Sequence, residues 1–165
     1  MTTHRRPGFA LAALVFALDQ FTKYLVMVPL DLANRGEIEI MPIFRFLWVN
    51  NAGVSMGMLQ ASTPLQAWLL VAMTVAIAIG VTVWLWRERN VQDVFGLGLV
   101  LGGALGNITD RMRFGHVIDF ANLHFGAFSP FLVFNGGDAA ITVGVLILLF
   151  RALLVRDKTK VTNDA

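Results

Sequence analysis

The chain has 165 residues, of which 56% are hydrophobic and only 15% charged, whereas a soluble domain carries about a quarter charged residues. Its mean hydropathy is +0.67, so a membrane protein is expected. The formal net charge is +2 and there is no cysteine, which excludes disulfides, thiolate metal sites and a cysteine nucleophile. The basic residues gather into no face or stripe, so nucleic acid is not expected as a partner.

Four stretches are long and apolar enough to span a bilayer as helices, which takes about 20 residues each. They run over about 9–28, 65–86, 94–108 and 138–155, and the third reaches a full span only if it extends to Arg111. No internal repeat or linker interrupts them, and a single domain covering residues 1–165 is expected. Arg5 and Arg6 precede the first stretch, Arg87 and Arg89 separate the second from the third, and Arg151, Arg156, Lys158 and Lys160 close the chain. The positive-inside rule assigns those three places to the cytoplasm. Residues 29–64 and 113–137 then lie outside. Trp48, Trp68, Trp84 and Trp86 fall near span ends, where indoles favour the interface. The basic start resembles a secretory signal, but no small-x-small site closes its apolar run and Asp19 and Lys23 interrupt it, so a retained first span is expected.

In the first outer segment Ile38, Ile40, Ile43, Phe44, Phe46, Leu47 and Val49 alternate irregularly with polar residues, which suggests short strands. Asn50-Asn51-Ala52-Gly53 is a turn signal, and an interfacial helix near Ser55 to Gln60 fits the remaining length.

Charges within spans are costly unless paired. Asp19, Thr22 and Lys23 share one helical face, where Asp19 and Lys23 neutralise each other; a structural pair and a support for a deeper polar site are both open. Gly98, Gly102 and Gly106 recur every fourth residue, the spacing of close helix packing. Asn107, Asp110 and Arg111 follow. Asp110 beside Arg111 reads as a helix-end charge pair, whereas a buried Asn107 amide needs partners. Asp119 lies in a strand-like apolar stretch, Val117 to Phe120. Asp138 starts the fourth span, where Asn135 as N-cap and the helix dipole already explain an acid. Each aspartate alone has an ordinary explanation. Together, both at the outer edge and both flanked by apolar residues, they suit a pair sharing one proton, in which one activates water and the other protonates a carbonyl. His116 and His124 near Asp119 match no strong metal-ligand spacing.

The residues also resemble a known family, the type II or lipoprotein signal peptidases, over nearly the whole chain. Asp19-Gln20-Phe21-Thr22-Lys23 resembles its D-Q-x-T-K segment and Asn51-Ala52-Gly53 its N-x-G segment. Gly102 through Arg111 resembles G-G-A-x-G-N-x-x-D-R, Gly115 through Phe120 resembles G-x-V-x-D-F, and Phe134 through Asp138 resembles F-N-x-A-D. The resemblance implies four transmembrane helices with a small extracytoplasmic β-cradle and a flexible periplasmic helix over the site. It implies an aspartic endopeptidase of the bacterial inner membrane, cutting diacylglyceryl-modified prolipoproteins just before the lipidated cysteine. The dyad falls on Asp119 and Asp138. Substrate positioning or site support falls on Asp19, Lys23, Asn51, Asn107, Asp110, Arg111 and Asn135. No cofactor and no metal is expected; the partners are the lipidated precursors and membrane lipids, and the chain is expected to act as a monomer. Val54-Ser55-Met56-Gly57 and Gly137 depart from the family pattern, which puts rate and substrate preference in question. Rival readings are a small transporter using Asp19, Lys23 and Asp110 as a polar track, and a non-catalytic lipoprotein-binding factor.

Overall fold

A computed structural model describes residues 5–53, 63–126 and 128–160, the stretch 155–160 as backbone only. Its elements in chain order are α1 (Arg5–Met27), α2 (Leu32–Arg35), β1 (Glu37–Met41), β2 (Phe44–Asn51), α3 (Pro64–Arg87), α4 (Val91–Phe114), β3 (Val117–Leu123) and α5 (Gly136–Lys160). Four of the helices, α1, α3, α4 and α5, are long and apolar enough to cross a membrane. The interfacial helix expected near Ser55 to Gln60, and the family departure at Val54 to Gly57, lie outside the described residues.

Local signals set the helix ends. Thr63 caps α3 through a reciprocal box, its hydroxyl accepting from the Gln66 amide while the Gln66 side chain accepts from the Thr63 amide, with Pro64 at the first helical position. Asn90 caps α4, which stops at Gly115 in the left-handed region at φ 79. Glu88 fastens the short α3–α4 connection: its carboxylate accepts from the Arg89 and Asn90 amides at 2.8 and 2.9 Å and from the Trp84 indole at 3.1 Å.

The third span is longer than its apolar run, because α4 continues through Asn107, Asp110 and Arg111 to Phe114. That is possible because α4 is the central helix: 56% of its apolar window is buried, against 11–22% for the other three. Its polar residues therefore meet protein rather than lipid. Glycines bring the neighbours close. A methyl group on Gly98 or Gly102 would stand 2.6 Å from the carbonyl of Gly8 or Ala12 on α1. On the adjacent face, Gly103 leaves room for the Gly137 carbonyl at the start of α5, where a side chain would collide. Helices in lipid gain little from hydrophobic burial, so backbone approach of this kind is a main source of their association.

The segments that follow α1 and α4 build a three-stranded antiparallel sheet in the order β1-β2-β3. Val49 stands opposite Asp119 and Asn51 opposite Val117, which sets the end of β2 beside the Asp119 strand. The sheet sits on the C-terminal end of α1 and on α2 through Val26, Leu32, Phe120 and Ala121, with Phe46 and Phe134 packed against them. Trp48 corrects an expectation. It lies on β2, partly buried against this cluster, rather than at a span end. The four-residue helix α2, whose Leu32 is fully buried, had no signal that separated it from loop.

Candidate active site

Three amides, Asn107 and Asn135 buried and Asn51 half-buried, organise a buried carboxylate, Asp119, and a half-buried one, Asp138, where α4, α5, β2 and β3 meet. Asp119 reaches this point because β3 carries it inward, with Val117, Ile118, Asp119, Phe120 and Ala121 all buried. Asp138 reaches it as the third residue of α5. Asn135 caps that helix: its Oδ1 accepts from the Asp138 amide at 2.9 Å, and the Asp138 carboxylate accepts from the Asn135 amide at 3.3 Å. The helix-start explanation of Asp138 is thus physically present, and the same cap also links it to the other acid. The Asn135 side-chain nitrogen donates to Asp119 Oδ1 at 2.7 Å. One residue therefore touches both acids.

The remaining amides complete the frame. Asn51 donates to Asp119 Oδ2 at 2.9 Å, and Asn107 donates to Asp138 Oδ1 at 2.7 Å. Asn107 Oδ1 accepts from Asn135 at 3.1 Å. Asp119 is 1% exposed. Its carboxyl is pushed up to about 7, first by burial and then by the negative charge of Asp138, against the hydrogen bonds of Asn51 and Asn135 and the charge of Lys23. Such a group exchanges a proton near neutral pH, as acid–base chemistry requires.

Behind Asn107 lies a second polar layer between α1 and α4. Lys23 Nζ is 2.8 Å from Asp19 Oδ2 and 2.7 Å from Asp110 Oδ2, and all three side chains are buried. This corrects the pairing of Asp110 with Arg111. The carboxylate of Asp110 turns into the bundle to Lys23 and accepts from the Ile118 amide at 3.2 Å. The i, i+4 pairing of Asp19 with Lys23 stands, extended by Asp110 into a triad. Asp19 Oδ1 also accepts from the Gly137 amide at 2.8 Å, joining α1 to the first turn of α5. Gly106 is required here, since a side chain would occupy the space of the Asp19 carboxylate.

Arg111 points the other way. It donates to the Gly53 carbonyl at 2.8 Å and to the Asn107 carbonyl at 3.4 Å, and its buried Nε has no hydrogen-bond partner among the described residues. Gly53 is held in turn by its amide donating to Asn51 Oδ1 at 3.0 Å.

All nine residues singled out from the sequence thus fall in one connected network. Gln20 was missed as a member; its side chain donates to Asp110 Oδ1 at 3.0 Å. Its place one residue after Asp19 put it on a different helical face, and only the approach of α4 shows its use. His124 lies apart from the acids, its Nε2 3.6 Å from Glu39 on β1.

Four membrane-length helices, a small sheet over their ends and two carboxylates joined through Asn135 at the junction define an integral membrane protein with two linked acids. The comparisons then supply the family. The profile described as signal peptidase (SPase) II matches residues 11–154. The chain is 56% identical over 154 residues to the lipoprotein signal peptidase of Rhizorhabdus wittichii, covering 93% of this chain and 90% of that one. It is 49% identical over 162 residues to that of Sphingopyxis alaskensis, covering 96% and 94%. Two solved structures described as bacterial membrane enzymes superpose with TM-scores of 0.79 and 0.75 at 24% and 25% identity, covering 96% and 89% of this chain and 93% and 92% of theirs. The chain belongs to the signal peptidase II family. It is a membrane aspartic peptidase, and its four spans fit a bacterial inner-membrane protein.

Proposed function

We propose that this protein removes signal peptides from diacylglyceryl-modified prolipoproteins, cutting just before the lipidated cysteine, with Asp119 and Asp138 as the catalytic pair. The observation that carries the proposal is the buried Asn135, which hydrogen-bonds both carboxylates. The relatives are named lipoprotein signal peptidases, which supports the substrate class. The whole chain acts as one peptidase unit. The arginines at positions 5, 6, 87, 89 and 151 support cytoplasmic termini and a site at the outer face. There the diacylglyceryl chains remain in lipid while the scissile bond enters from the membrane surface.

In this scheme Asp119 enters the cycle protonated and Asp138 ionised. Asp138 takes a proton from water as the oxygen attacks the scissile carbonyl, and Asp119 gives its proton to the carbonyl oxygen. The tetrahedral diol collapses when Asp138 passes its proton to the cysteine nitrogen and Asp119 recovers one from the diol. The products are a signal-peptide carboxyl terminus and a free amine on the lipidated cysteine. Arg111, whose Nε has no partner among the described residues, holds a substrate carbonyl beside the turn at Gly53 in this scheme.

The test is cleavage of purified diacylglyceryl-modified prolipoprotein by the wild type and by Asp119→Asn and Asp138→Asn in lipid. Loss of cleavage in both folded variants is expected. An uncut substrate with well-folded wild type rejects the activity, and wild-type cleavage by either variant rejects the dyad.

A further inference from the structure

Lys23 takes no part in the proton transfers just described, yet its contacts extend beyond what a structural ion pair needs. Two carboxylates, those of Asp19 and Asp110, already neutralise its buried ammonium. A third contact goes to Asn107 Oδ1 at 3.3 Å. That same oxygen accepts from the Asn135 side chain at 3.1 Å. With two donors converging on Oδ1, the Asn107 amide cannot turn over without setting its own NH2 group against an ammonium and a second NH2. Such a mismatch would leave buried donors facing one another without an acceptor, an arrangement that folded proteins avoid. Its nitrogen is consequently committed to the other side, where it donates to Asp138 Oδ1 at 2.7 Å.

The two oxygens of Asp138 are thereby made unequal. Oδ1 receives the short bond from Asn107, whereas among the described residues Oδ2 receives only the long bond from the Asn135 amide at 3.3 Å. We propose that Lys23 is a positioning residue of the dyad: by locking the Asn107 carboxamide in one orientation, it commits Asp138 Oδ1 as an acceptor and leaves Oδ2 as the atom that takes the proton from water. This rests on the catalytic reading of Asp119 and Asp138. A second observation points the same way. The charge of Lys23 on α1 acts on the Asp119 carboxyl on β3, opposing Asp138 on α5 and the effect of burial. Asp119 also faces the guanidinium of Arg111 on α4, while Asp19 and Asp110 offset part of the Lys23 charge. Lys23 thus fixes both the geometry of one acid and the proton balance of the other.

The experiment measures kcat and KM of full-length Lys23→Met and Asp110→Asn on diacylglyceryl-modified prolipoprotein from pH 5 to 10, with melting temperatures recorded alongside. Methionine keeps the unbranched stem of lysine as far as Cε but removes its charge and its donors. For Lys23→Met, kcat is expected to fall by roughly 10- to 100-fold with KM little changed. The alkaline limb, where Asp119 loses its proton, moves to higher pH. Asp110→Asn leaves Lys23 less neutralised, so its limb moves to lower pH. A Lys23→Met enzyme with the wild-type limb, or one whose loss lies wholly in KM, overturns the proposal. If that variant does not fold, an Asp110→Asn limb at the wild-type pH overturns it. The dyad variants separate the two levels: if Asp119→Asn and Asp138→Asn still cleave, the catalytic reading falls, whereas inactive dyad variants with an unmoved Lys23→Met limb remove only the role of Lys23.

Discussion

Replacing Asp119 by asparagine should make the protein more stable at alkaline pH and less stable at acid pH, while removing its activity. Asp119 is buried, and its carboxyl sits at about 7 rather than the ordinary 3.8. For a group raised in the folded state, the favourable contribution is complete below the unfolded value and is lost as pH climbs through the folded one. Holding Asp119 ionised above pH 7 therefore costs the wild type about 4 kcal/mol relative to acid conditions. Asparagine escapes that cost but brings another. Both oxygens of Asp119 accept from amide nitrogens, those of Asn135 at 2.7 Å and Asn51 at 2.9 Å, and an amide at position 119 satisfies only one of them. One donor left unpaired costs about 1–3 kcal/mol. The two effects cancel between roughly pH 4.5 and 6: below that range the wild type melts higher, and by pH 8 the variant does. Thermal unfolding followed by tryptophan emission in one detergent, at half-unit pH steps, reads the difference directly. A melting difference of constant sign and size from pH 4 to 9 would refute the claim that burial and Asp138 hold the Asp119 proton.

Other expectations follow from the same network. Gly103→Ala places a methyl group against the Gly137 carbonyl and Ile141, so α5 must move away from α4; a loss of about 1–3 kcal/mol in unfolding experiments is expected, with cleavage falling because Asp138 moves too. Gly106→Ala collides with the Asp19 carboxylate and should lower both the melting temperature and kcat, an outcome that an unchanged melt in lipid nanodiscs would contradict. Arg111→Lys keeps a charge but loses the planar donor that reaches the Gly53 carbonyl; KM for the lipidated precursor should rise several-fold or more, and a wild-type KM would show that Arg111 does not meet substrate. Asn51→Ala removes one hydrogen bond from Asp119, which should raise the pH at which that carboxyl ionises and carry the alkaline limb of activity upward with it.

Much of this protein can be read along the chain, for reasons that are local. Four apolar runs of bilayer length require helices, because lipid offers backbone groups no other partner. Glycines at 98, 102 and 106 announce a close helix contact, and alternation around Phe44 to Val49 announces strands. The five ordered blocks around Asp19, Asn51, Asn107, Asp119 and Asp138 mark every residue that the folded site gathers, Gln20 excepted as a separately named member. Asp110 shows the limit of such reading. Its neighbour Arg111 is its obvious partner in sequence, yet adjacent residues on a helix point in different directions, so Asp110 turns to Lys23 and Arg111 to Gly53. Trp48 shows the same limit, since its burial depends on the sheet lying over α1 and α2.

The sequence by itself determined that this is a four-span membrane protein with two separated aspartates in apolar surroundings near the ends of its spans. Only the tertiary structure decided that the two acids share a site. Their meeting depends on α4 carrying Asn107 between α1 and α5, and on β3 lying against the capped start of α5. These are contacts between residues up to 118 positions apart, and no local preference encodes them. The physical reason is hydrogen-bond closure: a buried carboxylate is tolerated only where donors converge, and Asn51, Asn107 and Asn135 arrive from three different elements to supply them.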